Sequence, residues 1–185
     1  MTETAEQEFA PAGGEIRTFL IADVRGYTRF TLEHGDEAAA RLASRFAAIA
    51  REGVAAHEGQ ILELRGDEAL AVFSSARQAL RAAVDLQERF SREAVANSAL
   101  PFAAGIGLDA GEAVPVEGGY RGAALNLAAR LCALAGPGEV LASDGVIHLA
   151  RRVEGLEYAD RGPVTLKGFA DQVRVMQVRR EPDPM

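Results

Sequence analysis

Apolar positions recur along this chain at two spacings, every second residue and every third to fourth, and the changes between them predict its elements. In residues 61–73, ILELRGDEALAVF, alternation puts Leu62 and Leu64 on one face and Ile61, Glu63 and Arg65 on the other, before a more continuous apolar run at 69–73. Arg65, Gly66, Asp67 and Glu68 form the bend between two short strands, Gly supplying backbone freedom and Asp a common turn former. An earlier apolar run, 16–23, stops at Asp23 and gives way to Val24, Arg25, Gly26, Tyr27 and Thr28, the pattern of a strand entering a helix. Phe19, Ile21 and Asp23 share one face at a period of two. The Asp23 carboxylate is therefore expected at the rim of the sheet, where Asp67 can approach it.

Helical spacing predicts a short helix at 27–34, a longer one from Asp36 to about His57 that Glu58 and Gly59 end, and a third from a Ser75 cap to about Asn97. A strand is predicted at 102–108, with a turn near Asp109 and Gly111, a bend marked by the glycines of 105–111, and a continuation to Val116. Residues 123–135 read as a helix stopped by Gly136, Pro137 and Gly138; 140–142 as a strand; Ser143 as the cap of a helical turn to Leu149; and 158–167 with 173–178 as a terminal hairpin. This order predicts an α+β fold with a ferredoxin-like βαββαβ core, an antiparallel sheet with helices over one face, extended by a further C-terminal helix and strands. Phe19, Ile21 and Ile61 would lie on the bare face, which suggests that a second subunit packs there.

A length of 185 residues, 48% of them apolar, fits one domain with a real core. It is placed at 15–178, between an acidic, Ala- and Gly-rich segment at 1–14 that is expected to fray and a polar tail at 179–185. A net charge of −7, with no basic run longer than a pair, argues against a nucleic-acid partner. Cys132 is the only cysteine, which excludes an intrachain disulfide. Neither a signal peptide nor an apolar stretch able to span a bilayer is recognisable, so a cytoplasmic location is expected.

On the hairpin alone, Asp67 reads as a solvated turn residue; the second acidic strand end changes that. Two carboxylates beside a helix N-terminus suit a hard divalent cation and a phosphate, with main-chain N–H groups at Arg25, Gly26, Tyr27 and Thr28 as the anion-binding half. Asn126 and Arg130 stand four apart and project from one side of a helix whose remaining positions, Leu125, Leu127, Leu131 and Leu134, are apolar. Singly, either would be an ordinary surface residue. No GxxxxGK[ST], GxSxG or HExxH pattern occurs, His34, His57 and His148 are scattered, and the glycines of 105–111 lack dinucleotide spacing.

Taken together, FLIADVRGYTRF, LRGDEALAVF, AAGIGLDAGE, GAALNLAARL and VTLKGF follow the order and spacing of class III nucleotidyl cyclases, and the chain resembles their catalytic domain, most of all the compact bacterial members, from about Glu15 to Val178. The resemblance implies a homodimer with active sites between subunits and a nucleoside triphosphate, GTP or ATP, as substrate. It implies two divalent cations, Mg²⁺ or Mn²⁺, on Asp23, Asp67 and the Val24 carbonyl, with Ca²⁺ as a non-productive substitute. Arg25, Gly26, Tyr27 and Thr28 would wrap the triphosphate. From the other subunit Asn126 would orient the ribose, Arg130 would stabilise the charged transition state, and Lys167, in the late Lys-Gly motif, would sit near the phosphates. A diguanylate cyclase is the nearest rival, since Arg65-Gly66-Asp67-Glu68 is similar to that family's signature hairpin, but its pattern has no place for Asn126 and Arg130. A catalytically degenerate domain that only binds nucleotide or dimerises is the non-enzyme alternative.

Four residues before Asp67, where the family puts Lys for adenine and Glu for guanine, stands Glu63. A carboxylate only accepts hydrogen bonds, which suits guanine N1–H and N2–H₂ and opposes the bare N1 of adenine. Seven residues before Asn126, Gly119 replaces the Asp common in adenylyl cyclases, and Tyr120 beside it would help to line the pocket. GTP is favoured on these residues, with ATP acting through an altered base pocket as the alternative; a mid-strand Glu63 paired with Arg65 is the bland reading.

Overall fold

Strand β1 (Glu15–Val24) is buried on both faces over its apolar centre, where Phe19, Leu20 and Ala22 are all 0% exposed, and the other elements pack outward from it. The computed structural model of the chain describes residues 13–184, so the segment expected to fray at 1–14 lies almost wholly outside the described residues. After β1 come α1 (Tyr27–Ala55), β2 (Gln60–Arg65), β3 (Glu68–Phe73), α2 (Ala76–Ala96), β4 (Ala104–Val116), β5 (Gly119–Arg121), α3 (Ala123–Leu134), β6 (Val140–Ser143), α4 (Asp144–Ala150), β7 (Leu156–Val164) and β8 (Val173–Arg180). The sheet runs β2-β3-β1-β4-β6-β8-β7, with β5 paired to the end of β4. Its first four strands carry the ferredoxin-like order, and the mixed α+β character follows from the parallel β4–β6 pairing in an otherwise antiparallel sheet. No helix of the described residues is long and apolar enough to cross a membrane.

Local chemistry accounts for the ends of the helices. The Ser75 hydroxyl accepts from the Gln78 amide at the start of α2, and Ser143 caps α4 through Val146. Within α1, Gly35 takes φ 85°, a left-handed conformation that separates the two predicted helical pieces by a kink. Phe46 of α1 stacks on Phe90 of α2 at 5.4 Å between ring centroids, the centre of the larger apolar cluster.

Four expectations give way. The face expected to be bare is covered by the chain itself: Phe19 and Ile21 pack with Ala124, Ala128 and Cys132 of α3, so helices lie on both sides of the sheet. Ile61 turns to the opposite cluster together with Leu64. The reason lies in β2, where a bulge between Ile61 and Glu63 inserts Leu62 as an extra residue and breaks strict alternation. Leu62 and Glu63 thereby come to the same side as Leu70. Finally, β4 is one unbroken strand paired to β1 from Glu15↔Ala113 to Val24↔Ala104, with no turn at Asp109. Gly107 is explained by close approach: an ideal Cβ there would lie 2.1 Å from the Cys132 backbone nitrogen. Asp109, 8% exposed, accepts from the Ser143 hydroxyl, and burial pushes its carboxyl up to about 6.

Candidate active site

Asp23 is the last residue but one of β1 and Asp67 sits in the turn after β2, where Gly66 takes φ 54°. The Val24 amide donates to the Asp67 carbonyl at 3.0 Å, pinning the turn to the strand end. The two carboxylates interact: burial pushes the Asp23 carboxyl up to about 6, with the Asp67 charge adding to the shift and Arg25, 2.7 Å from Asp23 Oδ2, opposing it. Among the described residues no group of three or more His, Cys, Asp or Glu side chains converges on a metal-sized site. A cation here would therefore take two carboxylates and complete its shell with main-chain, phosphate and water oxygens, a set that suits Mg²⁺, and it would relieve the repulsion that Arg25 only partly offsets.

Helix α1 begins next to this pair. Its N-cap, Gly26, has φ 77° and offers no side-chain cap, and the first backbone bond of the helix is Phe30 N–H to the Gly26 carbonyl. First-turn amides of a helix have no acceptor within it, so those of Tyr27 and Thr28 remain available to an anion. The expected cradle loses one member, however. The Arg25 amide donates to the Ala103 carbonyl at 2.6 Å and its guanidinium turns inward, so Arg25 is not arranged to wrap a phosphate.

The base-selecting candidates come together. Glu63, Gly119 and Tyr120 line one cavity of about 360 Å³ with Leu62, Leu70 and Leu125, three apolar side chains the sequence reading missed because the bulge that aims Leu62 there is invisible to strict alternation. Tyr120 is held edge-on against Phe19 at 5.8 Å. A Cβ on Gly119 would meet nothing within 4 Å, so the pocket has room at that position. Glu63 also pairs with Arg65, the contact the bland reading anticipated.

Asn126 and Arg130 are exposed on α3, on the side away from buried Leu127 and Leu131, with no hydrogen-bond or ion-pair partner among the described residues. Lys167 is exposed in the loop between β7 and β8, which Leu166 anchors to the α3 residues Leu127 and Leu131. Within one chain, this amide and these two cations face outward from α3 and its neighbouring loop, while Asp23 and Asp67 lie at the β1 end.

No protein-family model matches the chain. An uncharacterised protein of Mycobacterium tuberculosis is 32% identical over 197 residues, covering 96% of this chain and 34% of that protein. The pH-sensitive adenylate cyclase of the same organism is 29% identical, covering 91% of this chain and 42% of its own length. The chain thus spans roughly a third of the length of the curated relatives it matches. Among solved structures, the adenylate/guanylate cyclase/hydrolase of Silicibacter pomeroyi superposes with a TM-score of 0.75 at 29% identity, covering 92% of this chain and 98% of that one. The guanylyl cyclase Cya2 gives a TM-score of 0.76 at 26% identity, with 93% and 96% covered. Strand order, the Asp23–Asp67 turn, the α3 helix and these likenesses agree: over 92% of its length the chain is similar to class III adenylyl/guanylyl cyclase catalytic domains.

Proposed function

We propose that the chain is a purine nucleotide cyclase that converts a nucleoside triphosphate, GTP in preference to ATP, to its 3′,5′-cyclic monophosphate and pyrophosphate at sites shared between two protomers. The observation that carries this is the turn pinned to β1 by Val24 and Asp67, which sets two mutually repelling carboxylates beside the uncapped start of α1. Asp23, Asp67 and the Val24 carbonyl would hold the cations. When bound, such a pair lowers the pKa of the ribose 3′-hydroxyl and neutralises charge on the departing pyrophosphate. The amides of Tyr27 and Thr28, with Gly26 giving them clearance, hold the triphosphate oxygens. Arg130 and Asn126, exposed and without a partner among the described residues, reach into the partner's site: Asn126 orients the ribose, and Arg130 donates to the transferred phosphoryl group as its charge spreads. Lys167 stands near the same phosphates. Glu63 accepts from guanine N1–H and N2–H₂, and Gly119 leaves space for O6.

ATP is the second reading, favoured by the likeness to a relative named an adenylate cyclase and by Arg65, whose pairing with Glu63 takes up part of the carboxylate's accepting capacity. Incubation with equimolar ATP and GTP and Mg²⁺ or Mn²⁺ distinguishes them. Cyclic GMP in excess supports the Glu63 assignment, cyclic AMP in excess supports the second reading, and nucleotide binding without pyrophosphate release would reduce the chain to a binding domain.

A further inference from the structure

Among the described residues, Arg25 is a charged side chain that joins the two halves of the candidate site within a protomer. Its Nη1 donates to Asp23 Oδ2 at 2.7 Å, and its Nη2 donates to the Cys132 carbonyl and, at 3.0 Å, to the Ala135 carbonyl. The last carbonyls of a helix have no donor within it, and a cation at that end is favoured by the helix dipole. A planar fork that satisfies one carboxylate on β1 and two carbonyls at the end of α3 has little freedom left. The fold has made space for it: an ideal Cβ on Gly105 would lie 2.0 Å from Arg25 Nη2, 2.7 Å from Cζ and 2.8 Å from Nε, and these are the three nearest atoms it would meet. Gly105 therefore has a side-chain reason to be glycine, just as Gly107 has a backbone one.

We propose that Arg25 is a positioning residue that ties Asp23 at the end of β1 to the C-terminal turn of α3, so that one protomer's metal-binding strand and its Asn126- and Arg130-bearing helix are held as one body. This rests on the cyclase reading above, in which that strand and that helix serve different active sites of a dimer. Arg25 then couples the two sites through the interior of each protomer.

Two substitutions disturb the tie from opposite sides. Arg25→Gln removes the charge, whereas Gly105→Ala keeps Arg25 and fills the slot it occupies. In the metal-free protein, hydrogen exchange at the amides of the last α3 turn is expected to quicken in both variants while α2 keeps its protection, a measurement that needs no catalysis. Mixed dimers supply the second readout. When one protomer carries Asp23→Ala and the other Arg130→Ala, a single site retains both groups, and its α3 comes from the Asp23→Ala protomer. Gly105→Ala in the Arg130→Ala protomer, which keeps both Asp23 and Arg25 and supplies the metal-binding strand of that site, is expected to lower kcat roughly 10–100-fold with little change in KM; the same change in the Asp23→Ala protomer, where the tie has already lost its carboxylate, should cost less. Unchanged exchange in both variants, or equal losses from either protomer as simple destabilisation would give, overturns the proposal. A mixed dimer that folds but shows no activity overturns the cyclase reading instead, and the exchange measurement still reports whether the tie exists.

Discussion

Arg130 and Asp109 show how differently two charged side chains can be placed in one fold. Arg130 is exposed with no partner among the described residues, so its removal should cost little stability and much chemistry. Arg130→Ala is expected to lower kcat by about 10²–10³ while nucleotide binding, followed by equilibrium titration, stays close to wild type. Asp109 is the opposite case, a carboxyl that burial pushes up from 3.8 to about 6. A group that binds its proton more tightly in the native state contributes stability that is fully present below the unfolded value and is lost as pH rises through the folded one. Urea unfolding of wild type and Asp109→Asn should therefore diverge between pH 4 and 7, the variant gaining on the order of 2–3 kcal/mol relative to wild type across that range. Asp23 and Asp67 were legible in the sequence because each ends an apolar run or sits in a turn. The inward course of Arg25 was not, because it depends on a glycine eighty positions later that leaves the slot open.

At the scale of elements, the β2 bulge and the approach of α3 to β4 decide where the pocket lies. The bulge sets Leu62 and Glu63 on one side, and the β4–β5 hairpin brings Gly119 and Tyr120 to the same cavity. Because a side chain at Gly119 has open space, Glu63→Lys with Gly119→Asp is expected to fold and to move the ATP-to-GTP ratio of kcat/KM toward ATP; an unchanged ratio in competition assays would remove both residues from base selection. Gly107 tests the second element. A methyl group there would press on the α3 backbone, so Gly107→Ala should lower the denaturant midpoint by an amount equivalent to about 1–3 kcal/mol. Ser75, Ser143 and the kink at Gly35 could be read from the sequence, since caps and breakers act within a few residues. Strand β4 could not, because its glycines look like a bend until the elements packed against them are known.

For the whole molecule, the first four strands followed from the order of the elements, whereas the parallel join of β4 to β6 and the passage of α3 to the second face depend on long-range packing that no local pattern encodes. If active sites are shared between protomers, activity per chain is expected to fall on dilution in step with dissociation followed by sedimentation; constant activity in a monomeric range would rule out a shared site. Strand β2 forms one edge of the sheet. A regular outer strand is a template for self-assembly, and an irregular one is a poor template. Deleting Leu62 to straighten that edge would keep Glu63 opposite Leu70 but strip one apolar wall from the cavity, and it would also invite strand-by-strand stacking into insoluble fibres, so the lining of the pocket and solubility are bound to the same extra residue.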